Sequence, residues 1–369
     1  MRTNRRTPRA LASACLVALL AALVLAGCGS SDDSTSSSSS AGSTAASTTA
    51  SQPAADVPFE SPEAGLPTSY PEPTVRPGFR YTVGYLSPNS SIGFLASVYK
   101  GVKEQTERFG GKFIGYDANF NQDKQVSQFA DLLAQHPDVI VAYPLLPSAL
   151  AARVREAQAA GIPIVTNDTP PDASLPLEPG YDTNVHQGLD IARYRIAQAV
   201  ARESPGATYA LLGQSLPVPS LRYAMDRSHY WGDRFGNRFV GEVDAADDTP
   251  NAGQQAMTAL LAKYPDVDYV IAYNDTAAEA ASAVARSSGK TDVKIVGDGG
   301  DATAVRMIKS GQLWGTYGPD ERGIGVQQAI AAYDLATRQH LPLPRNIVIT
   351  SGTMVTRDNV DDYTPANDA

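Results

Sequence analysis

The sequence predicts an α/β protein built from two similar lobes, and two observations carry that prediction. From Phe79 onward, short apolar runs alternate with amphipathic helical stretches, the pattern of parallel strands joined by helical crossovers. One stretch is also written twice: Leu260 to Asp275 reads LLAKYPDVDYVIAYND, and Leu132 to Tyr143 reads LLAQHPDVIVAY. Each copy has a helix end, a Pro-Asp breaker, an apolar run too short for a membrane span, and Ala-Tyr leading into a turn. In an α/β fold such a run is a buried parallel strand, and the turn after it sits at the carboxyl edge of the sheet, where ligands bind. Two such strands suggest two lobes with a cleft between them, Asn274 and Asp275 facing it.

The strands and helices come in a regular order. Arg80–Leu86 is a β-rich run closed by the turn Ser87–Ser91. Phe94, Leu95, Val98, Val102 and Phe109 recur at helical spacing and stop at Gly110-Gly111. Lys112–Tyr116, Val139–Tyr143 and Ile162–Thr166 are the next strands, with helices over Gln125–His136 and Ser148–Ala160 between them. Four βα units in sequence predict a parallel sheet with right-handed crossovers. The pattern then starts again, with helices over Gln187–Glu203, Leu221–Phe235, Gly253–Lys263, Thr276–Ser287, Ala302–Ser310 and Gly323–Arg338. The strands between them are Thr208–Gly213, Phe239–Val243, Tyr269–Tyr273, Val293–Gly297 and Leu313–Tyr317, and Ile347–Ile349 closes the chain.

Composition and the front of the chain narrow the class. With 369 residues, 43% hydrophobic and 19% charged, the chain can bury a sizeable core. Its net charge is −9; residues 1–27 hold four of the 30 basic residues and none of the 39 acidic ones, so cleavage there would leave 26 against 39, or −13. So acidic a body repels phosphate backbones, and nucleic acid is excluded as a partner. Residues 1–28 read as a signal peptide: Arg2, Arg5, Arg6 and Arg9, then the apolar run ALASACLVALLAALVLAG, then Cys28. Leu25-Ala26-Gly27-Cys28 resembles the bacterial lipobox, which predicts lipidation of Cys28 and a membrane-anchored protein on the extracytoplasmic face. Cys15 lies in the removed segment, which leaves no disulfide and no thiolate metal site. Residues 29–77, dominated by Ser, Thr, Ala, Gly and Pro, are expected to be a disordered tether.

Five strand ends with their turns carry a family resemblance: Ser87–Gly101 (SPNSSIGFLASVYKG), Gly161–Asp168 (GIPIVTND), Asp182–Gly188 (DTNVHQG), Tyr269–Asp275 (YVIAYND) and Val293–Gly299 (VKIVGDG). Over about residues 79–360 the chain resembles the periplasmic binding proteins of the ribose-binding type, a fold shared with the effector domains of the LacI and GalR repressors. The resemblance implies two Rossmann-like lobes, each a parallel sheet flanked by helices, joined by a hinge of three crossovers. It implies an N-terminal lobe of residues 79–184 plus about 317–344, and a C-terminal lobe of 185–316 plus about 345–360. It further implies a monomer without cofactor that captures a sugar, polyol or nucleoside-like small molecule for an ABC permease. A membrane sensor kinase as partner, or a secreted glycan-acting enzyme, remain as alternatives; a DNA-binding repressor is excluded by the export signal and the lack of a helix-turn-helix.

The resemblance also implies the ligand-binding residues. Asn89, Ser91 and Phe94 match the first turn, where an asparagine and aromatic rings meet the sugar; Phe94 reads equally as a core residue of its helix. Asp168 matches an aspartate that accepts from sugar hydroxyls, against the alternative of a turn or cap residue. Arg222 matches an arginine that forks onto the ligand, against a surface arginine. Asn274 matches a sugar-binding asparagine, with Asp275 as the cap of the next helix. Asn184 touches ligand or hinge, Tyr143 offers an aromatic platform, and Trp231 is read as core. Two departures stand out: Thr169-Pro170-Pro171 replaces an arginine after Asp168, and the sugar-binding aspartate falls on Gly299, with Asp298 one residue early.

Other motifs are weak. Asp117, Asn119, Asn121 and Asp123 are spaced like the start of a calcium loop but lack its glycine and its bidentate glutamate, so helix capping is preferred. The histidines (His136, His186, His229, His340) show no metal-ligand spacing. Neither Gly323-Ile324-Gly325 nor Gly213-Gln214-Ser215 completes a dinucleotide loop or a nucleophile elbow, so neither metal nor catalysis is expected.

Overall fold

The computed structural model describes residues 57–91, 93–338 and 343–366. The leader, Cys28, residues 29–56 of the expected tether, and His340 lie outside the described residues. In chain order the first half builds β1 (Thr82–Ser87), α1 (Gly93–Arg108), β2 (Lys112–Asp117), α2 (Gln122–Ala134), β3 (Val139–Ala142), α3 (Pro147–Ala159), β4 (Ile164–Asn167) and β5 (Thr183–His186). The second builds α4 (Leu189–Glu203), β6 (Thr208–Gln214), α5 (Pro219–Arg234), β7 (Arg238–Ala245), α6 (Pro250–Lys263), β8 (Tyr269–Ala272), α7 (Asp275–Ser287), β9 (Lys294–Asp298), α8 (Ala302–Lys309) and β10 (Gly315–Gly318). The chain ends with α9 (Glu321–Thr337), β11 (Asn346–Val348) and β12 (Thr353–Thr356).

Two six-stranded sheets result, in the orders β11-β5-β4-β3-β1-β2 and β12-β10-β9-β8-β6-β7. All strand pairs are parallel except β10 with β12. The repeated stretch marks equivalent strands: β3 and β8 hold the same position in their sheets. Their runs are apolar throughout because both faces are covered. In the first sheet Val83, Tyr85, Val139 and Val141 face α1 and α9, while Leu86, Ile140 and Ala142 face α2 and α3. A larger cluster fills the second lobe around Leu211, Val270, Ile271 and Val296, and a smaller one of Tyr194, Ala197, Ala201, Trp231 and Phe235 lies between α4 and α5.

The chain passes between the sheets three times, after β5, after β10 and after β11. These crossings fall later than the boundaries expected at 184/185, 316/317 and 344/345. Val185 and His186 still pair in the first sheet, Tyr317 and Gly318 in the second, and Asn346–Val348 in the first. The reason is that each strand extends until its last ladder partner ends. Gly188 stands at the first crossing with φ +79, and a Cβ there would lie 2.3 Å from the Ile349 carbonyl oxygen of the third, so only glycine lets the two connections run so close.

A correction concerns the tether. Residues 57–77 have no regular secondary structure, yet they pack onto both lobes. Phe59 lies 4.9 Å from Tyr194 and 5.7 Å from Trp231 between ring centroids, on α4 and α5. Glu63 is buried and accepts from the Ile191 amide at 3.1 Å. The Pro67 carbonyl accepts from Val348 N, beside the third crossing, at 2.9 Å. Tyr70 is buried in the first lobe, its hydroxyl 2.7 Å from Thr183 Oγ1, and Arg76 N donates to the Tyr333 hydroxyl at 2.7 Å. A few large apolar residues, set in a Pro- and Ser-rich background, are enough to seat this strap.

Candidate functional site

Polar and aromatic side chains at the strand ends converge on one cleft, which encloses about 1020 Å³ with its mouth included. It lies beyond the carboxyl ends of β1 and β3 on one side and of β6, β8, β9 and β10 on the other, the position at which open α/β sheets bind ligands. The first lobe contributes an apolar and aromatic wall of Pro88, Phe94, Leu95, Phe120, Tyr143 and Leu145; the second contributes apolar residues too, among them Leu189 and Leu221, and adds the polar groups of Arg193, Gln214, Asp248, Asn274, Asp298 and Asp301. The walls touch around Tyr143 and Val218. Tyr143 Oη stands 3.2 Å from Ser220 Oγ, Gln187 Nε2 donates to the same Tyr143 oxygen at 3.1 Å, and Ala118 and Leu145 pack with Val218.

Of the residues expected to meet a ligand, Phe94, Tyr143, Asn274 and Asp298 line this cleft. Phe94 is half-buried and also packs against the first-lobe core, so the two readings of it coexist. Asn274 is the N-cap of α7: its Oδ1 accepts from the Ala277 amide at 2.8 Å, and its Nδ2 donates to Asp248 Oδ1 at 2.8 Å. This corrects the capping role expected of Asp275. Asp275 begins the helix instead, buried, accepting from Thr316 Oγ1 at 2.6 Å and from the Asp301 amide at 2.8 Å. Burial, with Asp301 next to it, holds its carboxyl well above the usual range.

The other expected residues stand outside the cleft lining. Asn89 is buried and folds back on its own turn, its Oδ1 taking the Ser91 amide at 2.7 Å and its Nδ2 meeting Asn119 at 3.2 Å. Ser91 is exposed. Asp168, at φ +43, faces the first crossing: it accepts from Gln187 N at 3.0 Å, from Gln187 Nε2, and from Asn167 Nδ2 at 2.6 Å. Burial pushes its carboxyl up to about 7 despite those donors. Asn184 is buried against the segment after β4, accepting from Thr169 N at 3.2 Å and donating to Pro170 O at 3.1 Å. Arg222 points to solvent and forks onto Glu242 at 2.8 and 3.1 Å. The face of α5 turned to the cleft carries Ser220, Leu221 and Ala224, one or two residues from Arg222 on either side, and a single helical step turns a side chain by about 100°. Trp231 is core, as expected, and donates to Asp190 Oδ1 at 2.6 Å. Asp117 and Asn121 are spent on local structure, Asp117 on Ser90 and Asn119 and Asn121 on capping α2.

Among the cleft residues not anticipated from the sequence, three polar ones stand out. Arg193 is buried on α4, with Nη2 2.5 Å from Asp298 Oδ2. Asp248 accepts from the Tyr273 hydroxyl and from Asn274, both at 2.8 Å. Gln187 links Asp168 to Tyr143 across the first crossing. A signal for Arg193 does exist: Leu189, Ala192, Ile196 and Val200 form the buried stripe of α4, and a charge at 193 interrupts it. Asp248 follows a strand as part of a polar turn and carries no comparable mark.

The comparisons with known proteins agree with this geometry. A family model described as periplasmic binding protein domain matches residues 83–340. The ribose import binding protein of Bacillus subtilis is 29% identical over 256 residues, covering 69% of this chain and 81% of that protein. An ABC transporter solute binding protein from Mycobacterium smegmatis with bound glycerol has a TM-score of 0.68 at 24% identity, covering 77% of this chain and 96% of that one. Another from Agrobacterium vitis, bound with α-D-tagatopyranose, gives 0.69 at 20%, with the same two coverages. The likeness to these solved structures shows a shared fold.

Proposed function

This chain belongs to the periplasmic binding protein family, and on that premise we propose that it captures a sugar or sugar-like polyol in the cleft and delivers it to an ABC importer. The observation that carries the reading is a cleft that joins apolar surface to a cluster of convergent polar groups. Phe94 and Leu95 offer an apolar surface for the C–H face of a ring, and Arg193, Asn274 and Asp298 offer donors and acceptors for hydroxyls on the opposite wall. The names of the relatives, a ribose import protein and solute-binding proteins holding glycerol and tagatose, support the same class. Phe94, Tyr143, Asn274 and Asp298 are the proposed ligand contacts. Asn89, Ser91, Asp168 and Asn184 act behind them, shaping the first turn and the first crossing.

A ligand that touches both walls favours the conformation in which they meet, because only there does it make all its contacts. The importer then reads that conformation. The lipobox adds that the protein is held by acyl chains on Cys28 at the extracytoplasmic face of the membrane. Replacing Cys28 with Ala should move the protein from the membrane fraction to the soluble one; retention in the membrane would remove the anchor from this reading. The test of the ligand class is a thermal-shift screen against pentoses, hexoses, polyols, nucleosides and amino acids. A ligand at 100 times its Kd should add about 2.7 kcal/mol of stability. Stabilisation by amino acids alone would overturn the carbohydrate reading.

A further inference from the structure

Arg193 is the only lysine or arginine among the described residues that is buried, 1% exposed, and it sits in the wall of the cleft. A guanidinium carries five N–H donors. Here Nη2 is held by Asp298 Oδ2 at 2.5 Å, while Nε and Nη1, both buried, meet no protein acceptor among the described residues. A buried donor without an acceptor is costly, and more so when charged, so such groups persist where an occupant completes them. Asp298 keeps 13% of its side chain exposed and also lines the cleft.

We propose that Arg193 and Asp298 form the specificity element of the cleft, a donor–acceptor pair that takes adjacent hydroxyls of an uncharged ligand and rejects the corresponding acid. A hydroxyl can accept from Nε or Nη1 of Arg193 and donate to the Asp298 carboxylate in the same contact, which a carboxylate ligand cannot do. The pair is neutral as a unit. The other ionisable groups on that wall are the carboxyls of Asp248, Asp275 and Asp301, with Asp275 held well above the usual range by burial; none is a cation, so an acidic ligand would enter a field of its own sign. Asp248 is fixed in place by Tyr273 and Asn274 and cannot swing away without breaking two hydrogen bonds.

The inference rests on the reading of the ligand as a sugar or polyol, and the experiment separates the two. Calorimetric titration of the full-length protein would use neutral sugars, each paired with its uronic or aldonic acid, together with myo-inositol. The neutral member of a binding pair should bind at least about tenfold tighter than its acid. Arg193→Met and Arg193→Lys should each weaken the neutral ligand by about tenfold or more, since an ammonium cannot hold Asp298 and two ligand oxygens in one plane. Asp298→Asn should narrow the gap between a sugar and its acid. The double variant R193M/D298N removes the buried pair as a unit and serves where Arg193→Met alone fails to fold. An acid preferred over its neutral partner, or affinity unmoved by every Arg193 variant, would overturn this inference and leave the sugar reading standing. Silence across the whole panel would overturn both.

Discussion

The guanidinium of Arg222 is about half exposed and shared between Glu242 and Asp226 on the outer face of α5. Pairs of this kind are worth about 0.2–1 kcal/mol, so Arg222→Ala should lower stability by that much and leave ligand affinity unchanged within about twofold. A tenfold loss in a titration would place Arg222 back at the ligand. Asn274 calls for a different pair of variants, because it caps α7 and lines the cleft at once. Asn274→Ser keeps a capping oxygen and loses the amide, so it should melt close to the parent while binding ligand more weakly. Asn274→Ala should lose both, with about 1 kcal/mol of stability. If the Ser variant binds as the parent does, Asn274 is a cap only. At this scale the sequence shows which turns border the cleft, because each comes after a buried apolar run. It does not show which neighbour points inward: Leu221 and Arg222 differ by one helical step, and Asn274 and Asp275 both satisfy capping chemistry.

Among the elements, the strap of residues 57–77 was the hardest to read. Its composition is that of a tether, and the residues that seat it, Phe59, Glu63 and Tyr70, are too few to set a periodic pattern. β5 (TNVH) was legible only as a strand end in the family resemblance, because it has no apolar run of its own, and β12 (TMVT) was missed because it is four residues long and buries only Val355. The strap has a pH signature. Burial, and then the nearby Asp190 carboxylate, push the Glu63 carboxyl up to about 8, from about 4.5 in an open chain. Between those values the folded protein holds a proton that the unfolded chain has released. The stability this contributes is therefore complete below about pH 4.5 and is lost as pH rises through about 8. Asp168, pushed up to about 7, slopes the same way, so Glu63→Gln should reduce the fall in melting temperature between pH 5 and pH 8 without abolishing it. Equal falls in the variant and the parent would show that Glu63 is not the group responsible.

On the scale of the whole molecule, the doubled stretch and the strand–helix alternation made both sheets legible before any coordinates, since buried parallel strands announce themselves by length and apolarity. The strap adds what periodicity does not encode, a connection along the hinge side that is independent of the cleft. It fastens to α4 and α5 of one lobe through Phe59 and Glu63, passes Val348 at the third crossing, and fastens to β5 and α9 of the other through Tyr70 and Arg76. All of these contacts are made together with the Tyr143–Ser220 contact between the cleft walls. Contacts of the strap that are lost when the walls part would add to the stability of the conformation in which they meet, and a ligand that selects that conformation would then gain from them without touching them. A chain beginning at residue 79 should accordingly melt several degrees below one beginning at residue 57, and should bind its ligand more weakly, while the preference order among ligands stays the same. Melting curves and titrations of the two chains measure each effect. Equal affinities would mean that the strap stabilises the lobes without biasing their approach; a changed order of ligands would mean that it reaches the site.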